Sequence, residues 1–431
     1  MFSNRLSGWL AARNIHYGWG MAATTFLTML ATAGAMGAPG VLIGPLEKEF
    51  GWSTADISSA LAVRLALFGL LGPFAAAFMN QFGIRRVVTT ALLLISAGIV
   101  GSFFMTKLWH LLLFWGVIIG IGTGITALVL GATVATRWFS ERRGVVVALM
   151  TVSNATGQLV FLPLMAYLTQ TTGWRPALTV IVAVILGAML LVLALMRDYP
   201  AQLGLPPYGE RAVLPLPARS KTLGQLLLVP LTTLYEFSGS STFWVLFGTF
   251  FICGLSTNGL IQTHWISICG DFNIDAVNAA GLLAMVGIFD FAGTLFAGWL
   301  SDRYDNRYLL FWFYGLRGLS LIYLSLSGFG IAQLTVFAVF YGLDWVATVP
   351  PTVKLSAERF GREKANIVFG WIFAGHQLGA ATAAFGAGTL RTDYASYMPA
   401  LQIAGGMCLL AALSVLFLAR PRGRTVAPSA A

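Results

Sequence analysis

The sequence has 431 residues, of which 57% are hydrophobic and 10% are charged, and its formal net charge is +10. Soluble domains carry about 25% charged residues, so this composition excludes a water-soluble globule. Apolar windows of about 20 residues recur along the whole chain, and each is long enough to cross a hydrocarbon core of roughly 30 Å as a helix.

These windows predict an all-α membrane protein with twelve transmembrane helices. They are solidly apolar and rich in Leu, Ala and Gly, without the alternation of side chains that a transmembrane barrel needs. In chain order they lie at 18 to 39, 57 to 78, 87 to 106, 108 to 136, 145 to 168, 176 to 196, 242 to 262, 276 to 300, 308 to 327, 331 to 352, 365 to 388 and 399 to 419.

The basic residues predict how the helices are oriented. With the N-terminus in the cytoplasm, twenty Lys and Arg fall in cytoplasmic segments, two lie within helices, and four lie outside, namely Lys48, Lys107, Arg175 and Arg391. This bias is the one that the positive-inside rule requires. The positive charge therefore indicates topology and contact with anionic membrane lipid, and no nucleic-acid partner. We expect a multi-pass protein of the cytoplasmic (inner) membrane with both termini in the cytoplasm.

The chain divides into two related halves. The proline-rich segment 197–225 is typical of a cytoplasmic linker. AAFMNQFGIRR and GWLSDRYDNRY each close an even-numbered span, and Gln158 matches Gln377 at an offset that other residues share. Duplicated bundles around a midplane site are typical of transporters that work by alternating access. We predict a monomer with two pseudo-symmetric six-helix bundles, at 1–198 and 240–431, joined by a linker at 199–239.

The segment GWLSDRYDNR, at 298–307, resembles the cytoplasmic loop signature of the major facilitator superfamily. In the first-half copy, Ala76 replaces the glycine and Asn80 replaces the aspartate. RWFSERRG, GWRPA and YGLDWVATVPPT are similar to the branch that contains monocarboxylate transporters and oxalate:formate exchangers. The resemblance implies a secondary active transporter of a small organic anion, coupled to protons or to a counter-substrate.

Two positions depart from that branch. Its members carry an arginine one turn after the aspartate that matches Asp290, where this chain has Thr294. They also carry a lysine after the proline that ends the first helix, where Gly40 follows Pro39. The resemblance implies a proton-linked switch at Asp290 and leaves the substrate open. Drug or metabolite efflux by proton antiport is the alternative.

Four full charges lie inside predicted helices, namely Arg64, Asp290, Arg317 and Asp344. Each costs about 3 kcal/mol on insertion scales unless it is paired, hydrated or functional. We predict proton coupling for Asp290 and Arg317, with a structural pair between the two as the alternative. Arg64 is expected to anchor the anion through its bidentate fork, or else to snorkel towards water. Asp344 is expected to line the substrate cavity, or else to pair with another helix.

Uncharged polar residues form a second candidate set inside three spans. They are Asn154, Gln158, Asn258, Gln262, His376 and Gln377. Hydrogen bonding between helices explains any one of them alone. As a group, we predict that they bind substrate together with Arg64 and Asp344.

Charged residues at the cytoplasmic helix ends are interpreted as a gate that forms in one conformation and breaks in the other. They are Arg85, Arg86, Asp302, Arg303 and Arg307. Anchoring by the positive-inside rule is the alternative for this set.

The sequence lacks several common enzymatic and cofactor-binding motifs. GxxxxGK[ST], HExxH and GxSxG do not occur, and Cys253, Cys269 and Cys408 lack metal-binding or disulfide spacing. We therefore predict no enzyme activity, no cofactor and no metal, and transport driven by an ion gradient or by exchange. Of the three thiols, only Cys269 is expected to be exposed.

Overall fold

The structure is a computed structural model that describes residues 2–126, 128–213, 215–216, 222–301, 303–360 and 365–418. Within these ranges it leaves out the side chains at 2, 76, 128, 143–144, 148, 151–152, 154–155, 158–159, 223, 226, 357 and 365–366.

Helices make up almost all of the described chain. In chain order they are α1 (Phe2–Ala11), α2 (Tyr17–Phe50), α3 (Thr54–Phe82), α4 (Ile84–Ser102), α5 (Leu108–Trp138), α6 (Arg143–Thr172), α7 (Trp174–Leu195), α8 (Leu223–Phe237), α9 (Ser241–Gly270), α10 (Ala276–Ser301), α11 (Asn306–Leu326), α12 (Ile331–Phe360), α13 (Ala365–Tyr394) and α14 (Met398–Val415).

Eleven of the described helices are long and apolar enough to cross a membrane, and they correspond to eleven of the predicted windows. The remaining window, at 145 to 168, corresponds to α6, which has 30 residues and is therefore about 45 Å long. The prediction of an all-helical membrane protein is confirmed. The short α8 lies in the predicted linker, where the Trp371 indole N–H of α13 donates to the Pro230 carbonyl at 2.9 Å.

The two six-helix halves pack in the same pattern. In the first half α2 packs on α6 and α7, α3 packs on α5, and α4 packs on α5 and α7. In the second half α9 packs on α13 and α14, α10 packs on α12, and α11 packs on α12 and α14. The halves meet at two seams, one where α3 packs on α13 and one where α6 packs on α10. The internal repeat relates these two seams to each other. The halves also meet where α2 packs on α9. The predicted pair of six-helix bundles is confirmed, whereas the exact domain boundaries stay predictions.

Two consecutive prolines interrupt α12. In α12 the first helical segment ends at Asp344 and the second begins at Val349, immediately before Pro350 and Pro351. Proline has no N–H and disfavours helical geometry in the residue before it, so the backbone turns at 345–348. Backbone groups freed by such a break need other partners inside a membrane protein.

Gly293 of α10 should be intolerant of a side chain. A Cβ at this position would fall on the Leu343 backbone of α12, so the helices are held as close as glycine permits. We expect Gly293→Ala to lower the free energy of unfolding by about 1–3 kcal/mol through overpacking. Gly298→Ala on the same helix is the matched control, because no atom lies within 4 Å of its added Cβ. Thermal unfolding in detergent measures both, and equal melting temperatures would contradict the close packing.

The three cysteines are free and buried. The expectation that Cys269 is exposed was wrong. The reason is that α9 continues to Gly270, beyond the predicted end at 262, so Cys269 lies in a helix that packs on α10.

Candidate functional site

Arg64 of α3 is buried, with 3% of its surface exposed. Its Nη1 donates to the carbonyls of Ala35 at 3.1 Å and of Met36 at 3.3 Å. Ala35 lies four residues before Pro39, which has no N–H, so the Ala35 carbonyl has no helical donor and can accept from the guanidinium. Arg64 therefore points inward, and the snorkelling alternative is wrong.

A small crevice lies beside this guanidinium, at the junction of the two halves. Residues of α2, α3 and α9 line it, including Arg64, Asn258 and Gln262. Its volume is about 10 Å³, which is roughly the space of one water molecule. Three of the predicted substrate residues thus come together, and the lining contains no acidic side chain.

The α9 side of the crevice is a π-helical segment, Leu255–Gln262. The Thr263 hydroxyl donates to the Asn258 carbonyl at 2.8 Å, five residues back, which extends the wide turn. Such π segments inside helices are frequent at functional sites. On the α2 side, a Cβ at Gly40 would lie 3.0 Å from the carbonyl oxygens of Gln262 and Thr263, so glycine allows the close approach of the two helices.

Asp290 of α10 faces the break in α12. Its Oδ1 accepts from the Val346 backbone N–H at 2.9 Å and from the Thr294 hydroxyl at 3.0 Å. Thr294, which stands where the resembling branch has an arginine, therefore supports the carboxylate by a hydrogen bond. Asp290 is 7% exposed.

Arg317 of α11 pairs with Asp344 and not with Asp290, so the alternative of a structural pair with Asp290 is wrong. Its Nε lies 2.7 Å from Asp344 Oδ2, and its Nη2 donates to the carbonyls of Asp344 at 2.5 Å and of Trp345 at 3.1 Å. The break in α12 supplies the reason, because it leaves these carbonyls free next to the carboxylate. Asp344 consequently lies in the α11–α12 interface, as the pairing alternative states, and does not line the Arg64 crevice.

The broken segment of α12 is thus held from two sides. Asp290 binds a free N–H, and Arg317 binds two free carbonyls. With both acids ionised, the two carboxylates and the guanidinium carry a formal net charge of −1. Arg317 Nη1 also donates to the Cys253 sulfur at 2.8 Å, and that sulfur lies 3.3 Å from the Thr348 hydroxyl. Sequence patterns did not predict the roles of Cys253, Thr348 and the Val346 N–H, and the signal that could have located the break is the pair Pro350 and Pro351.

Two further predicted substrate residues, Gln377 and His376, lie apart from the crevice. Gln377 is buried at the α3–α13 seam against Gly69. His376 packs between the rings of Phe250 and Phe373, at centroid distances of 5.0 and 5.7 Å. The side chains of Asn154 and Gln158 lie outside the described residues.

Two of the predicted gate residues make equivalent contacts in the two halves. The Arg85 N–H, at the start of α4, donates to Asp198, just beyond α7, at 3.0 Å. Arg307, at the start of α11, donates to the Leu418 carbonyl, just beyond α14, at 2.9 Å, and pairs with Asp305 at 2.6 Å. The Arg85–Asp198 and Arg307–Leu418 contacts each join the third and sixth spans of one half.

The remaining gate residues form no link between halves among the described contacts. The Arg303 guanidinium lies 4.2 Å from the Trp299 ring centre, one turn back on its own helix. Asp302 lies outside the described residues. The gate contacts described for this conformation therefore anchor helix ends, and opening and closing by this set stays a prediction.

Comparisons with known proteins agree with this architecture. The family model described as Major Facilitator Superfamily matches residues 21–384 and 246–431. The uncharacterized MFS-type transporter YcxA of Bacillus subtilis is 24% identical over 80% of this chain and 81% of its own. Monocarboxylate transporter 13 of Rattus norvegicus is 26% identical over 93% of this chain and 88% of its own. Monocarboxylate transporter 11 of Mus musculus is 30% identical over 76% of this chain and 71% of its own.

Two solved structures share the fold. A D-xylose-proton symporter is 16% identical, with a TM-score of 0.72 over 94% of this chain and 98% of its own. The inward-open xylose transporter XylE from E. coli is 15% identical, with a TM-score of 0.73 over the same shares. At these identities the likeness concerns the fold alone.

Proposed function

The chain belongs to the Major Facilitator Superfamily and is a multi-pass membrane transporter rather than an enzyme, and from this we propose that it moves a small organic anion of the monocarboxylate class by alternating access. The observation that carries the substrate class is Arg64, a buried guanidinium at the junction of the halves whose described partners are backbone carbonyls. A buried charge without a counter-charge is costly, and a carboxylate between the halves would supply one.

The crevice supports a substrate position that both halves share. Arg64 comes from the first half, whereas Asn258 and Gln262 come from the second. An anion held by the guanidinium fork and by the two amides would contact both halves at once. Because a space of about 10 Å³ cannot hold a carboxylic acid, the helices must separate here to admit it. Binding would thereby be linked to the relative movement of the halves.

Asp290 fits a proton-linked switch in the same cycle. A proton on its carboxylate would neutralise the cluster of net charge −1 and weaken the bonds to the Val346 N–H and the Thr294 hydroxyl. The hydrogen bond that links α10 to the break in α12 would weaken as a result. Symport of one proton with a monoanion carries no net charge, and exchange against a counter-substrate is the other mode.

The location proposed for this activity is the inner membrane, with both termini cytoplasmic. The distribution of Lys and Arg between the two membrane faces supports this orientation.

Uptake into proteoliposomes tests the function directly. A panel of mono- and dicarboxylates is offered with and without a pH gradient across the vesicle membrane. Accumulation of a monocarboxylate that follows the gradient supports proton symport, and accumulation that requires an internal anion supports exchange. Transport of apolar drugs in exchange for protons, without transport of any carboxylate, would instead support the efflux alternative.

Arg64→Gln tests the anchor. Removing one partner of a buried charged contact costs about 2–5 kcal/mol, so the affinity for the transported acid should fall at least thirtyfold. Arg64→Lys keeps the charge and loses the fork, and an intermediate loss is expected. Substrate-induced thermal stabilisation measures both.

The matched control is Arg175→Gln, which removes an arginine from the half-exposed pair with Glu49. Its affinity should equal that of the unmodified protein. A folded Arg64→Gln variant with unchanged affinity would end the anchor role.

A further inference from the structure

A second polar cleft lies away from the junction of the halves, at the linker-side ends of α4 and α7. Its volume is about 680 Å³, which is far larger than the crevice at Arg64. Three arginines, Arg85, Arg86 and Arg197, line it together with Asp198. Three positive charges and one negative charge leave a net charge of +2 in the cleft.

Asp198, the acid in the cleft, already accepts a hydrogen bond from the chain. Asp198 accepts from the Arg85 N–H at 3.0 Å and so caps the start of α4. The Arg85 Nη2 donates to the Leu193 carbonyl, and the Arg197 Nη2 donates to the Ser3 hydroxyl, both at 2.5 Å. Arg86 is exposed and takes part in none of the hydrogen bonds or ion pairs found among the described residues. The cleft therefore presents positive charge that the described chain does not neutralise.

Apolar surface continues from this positive charge along both helices. On α7 the residues that precede Arg197 at helical spacing are Leu190 and Leu193, which are 64% and 37% exposed. On α4 the exposed positions that follow Arg86 at the same spacing include Leu93 and Val100, at 48% and 40%. Two ridges of exposed hydrocarbon thus run from the basic end of the cleft into the membrane-spanning part.

We propose that this cleft binds an anionic phospholipid, with the phosphate on Arg86 and Arg197 and the acyl chains along the two ridges. Guanidinium groups bind phosphate oxygens in a bidentate manner, and basic pockets between membrane helices suit anionic head groups. A free phosphate ion would use the same guanidinium groups but would gain nothing from Leu93 or Leu190. The apolar ridges are the reason for assigning the lipid.

The site is separate from the proposed transport path and does not depend on the transported substrate. Its occupant would bridge the third and sixth spans of the first half, where Arg85 and Asp198 already meet. Bound lipid should therefore raise the thermal stability of the protein.

The test measures thermal unfolding of the purified full-length protein in detergent with added phosphatidylglycerol, with phosphatidylcholine, or with inorganic phosphate. We expect phosphatidylglycerol to raise the unfolding temperature, and phosphatidylcholine and inorganic phosphate to leave it unchanged. For the double variant Arg86→Gln/Arg197→Gln, the midpoint, which is the phosphatidylglycerol concentration that gives half of the maximal stabilisation, should be at least tenfold higher. Arg86→Gln by itself, at an exposed position without an ion pair among the described residues, should shift the midpoint in the same direction without disturbing the fold. Arg211→Gln, which removes one positive charge from the exposed linker, is the control and should leave the midpoint unchanged.

Three outcomes would overturn the proposal. Equal stabilisation by phosphatidylcholine would show that charge recognition is absent. Stabilisation by inorganic phosphate at the same concentration would assign the cleft to a soluble anion. An unchanged midpoint in both Arg86→Gln and the double variant would remove the arginines from the site.

Discussion

Arg317→Met is expected to lower the free energy of unfolding by about 3–5 kcal/mol, because it strands a buried carboxylate. Arg317 is fully buried, and its guanidinium binds the Asp344 carboxylate and the carbonyls of Asp344 and Trp345. Without it, the break in α12 retains free acceptors that water cannot reach. Thermal and denaturant unfolding in detergent measure the loss.

A double-mutant cycle separates the energy of the Arg317–Asp344 ion pair from the packing energy that each single substitution removes. Arg317→Met/Asp344→Leu removes both charges, so it should recover much of the stability that Arg317→Met loses. The exposed pair of Arg391 and Asp271, at 2.8 Å, provides the comparison, and Arg391→Met should cost no more than about 1 kcal/mol. If the double variant were as unstable as the sum of the single ones, the two charges would not be coupled.

Asp290→Asn is expected to abolish the response of uptake to a pH gradient while exchange of substrate across the membrane continues. Asparagine has nearly the same shape and can still accept from the Val346 N–H through its amide oxygen, but it cannot carry a proton. One pH unit supplies about 1.4 kcal/mol, so the unmodified symporter should accumulate about tenfold more substrate per unit, and the variant should not. Counterflow and gradient-driven uptake in proteoliposomes measure the two activities.

Asp275→Asn is the control for this experiment. Asp275 is exposed at the N-terminus of α10, where hydrogen bonds from Asn278 and Val277 lower the pKa of its carboxyl. It therefore stays ionised around neutral pH, and its replacement should leave the coupling intact. A pH response that persists in Asp290→Asn would remove Asp290 from the proton path.

The helices could be predicted because hydrocarbon imposes a strict requirement on every spanning segment. Each span must be apolar for about 20 residues, and this property is local to the sequence. Three of the eight predicted substrate residues line one crevice, namely Arg64, Asn258 and Gln262. Intramembrane polar residues tend to face the interior, which accounts for this grouping, and substrate binding by these residues stays a prediction.

The partner of Arg317 could not be predicted from helical spacing. That reasoning treats α12 as continuous, whereas the turn at 345–348 brings carbonyls and a carboxylate together beside α11. His376 illustrates the same difficulty, because its environment is set by Phe250 on another helix. Pairing between helices depends on their rotation and depth, which single-sequence patterns do not record.

The Arg64 guanidinium binds main-chain oxygens, so its hydrogen bonds do not depend on which side chains the accepting residues carry. Carbonyl groups are common to every amino acid, so exchanges of the side chains at Ala35 and Met36 leave both acceptors in place. Pro39 adds one constraint, because its missing N–H frees the Ala35 carbonyl, whereas the Met36 carbonyl accepts from both terminal nitrogens of the guanidinium. Drift along α2 can therefore alter the shape of the crevice while the position of the positive charge is inherited unchanged.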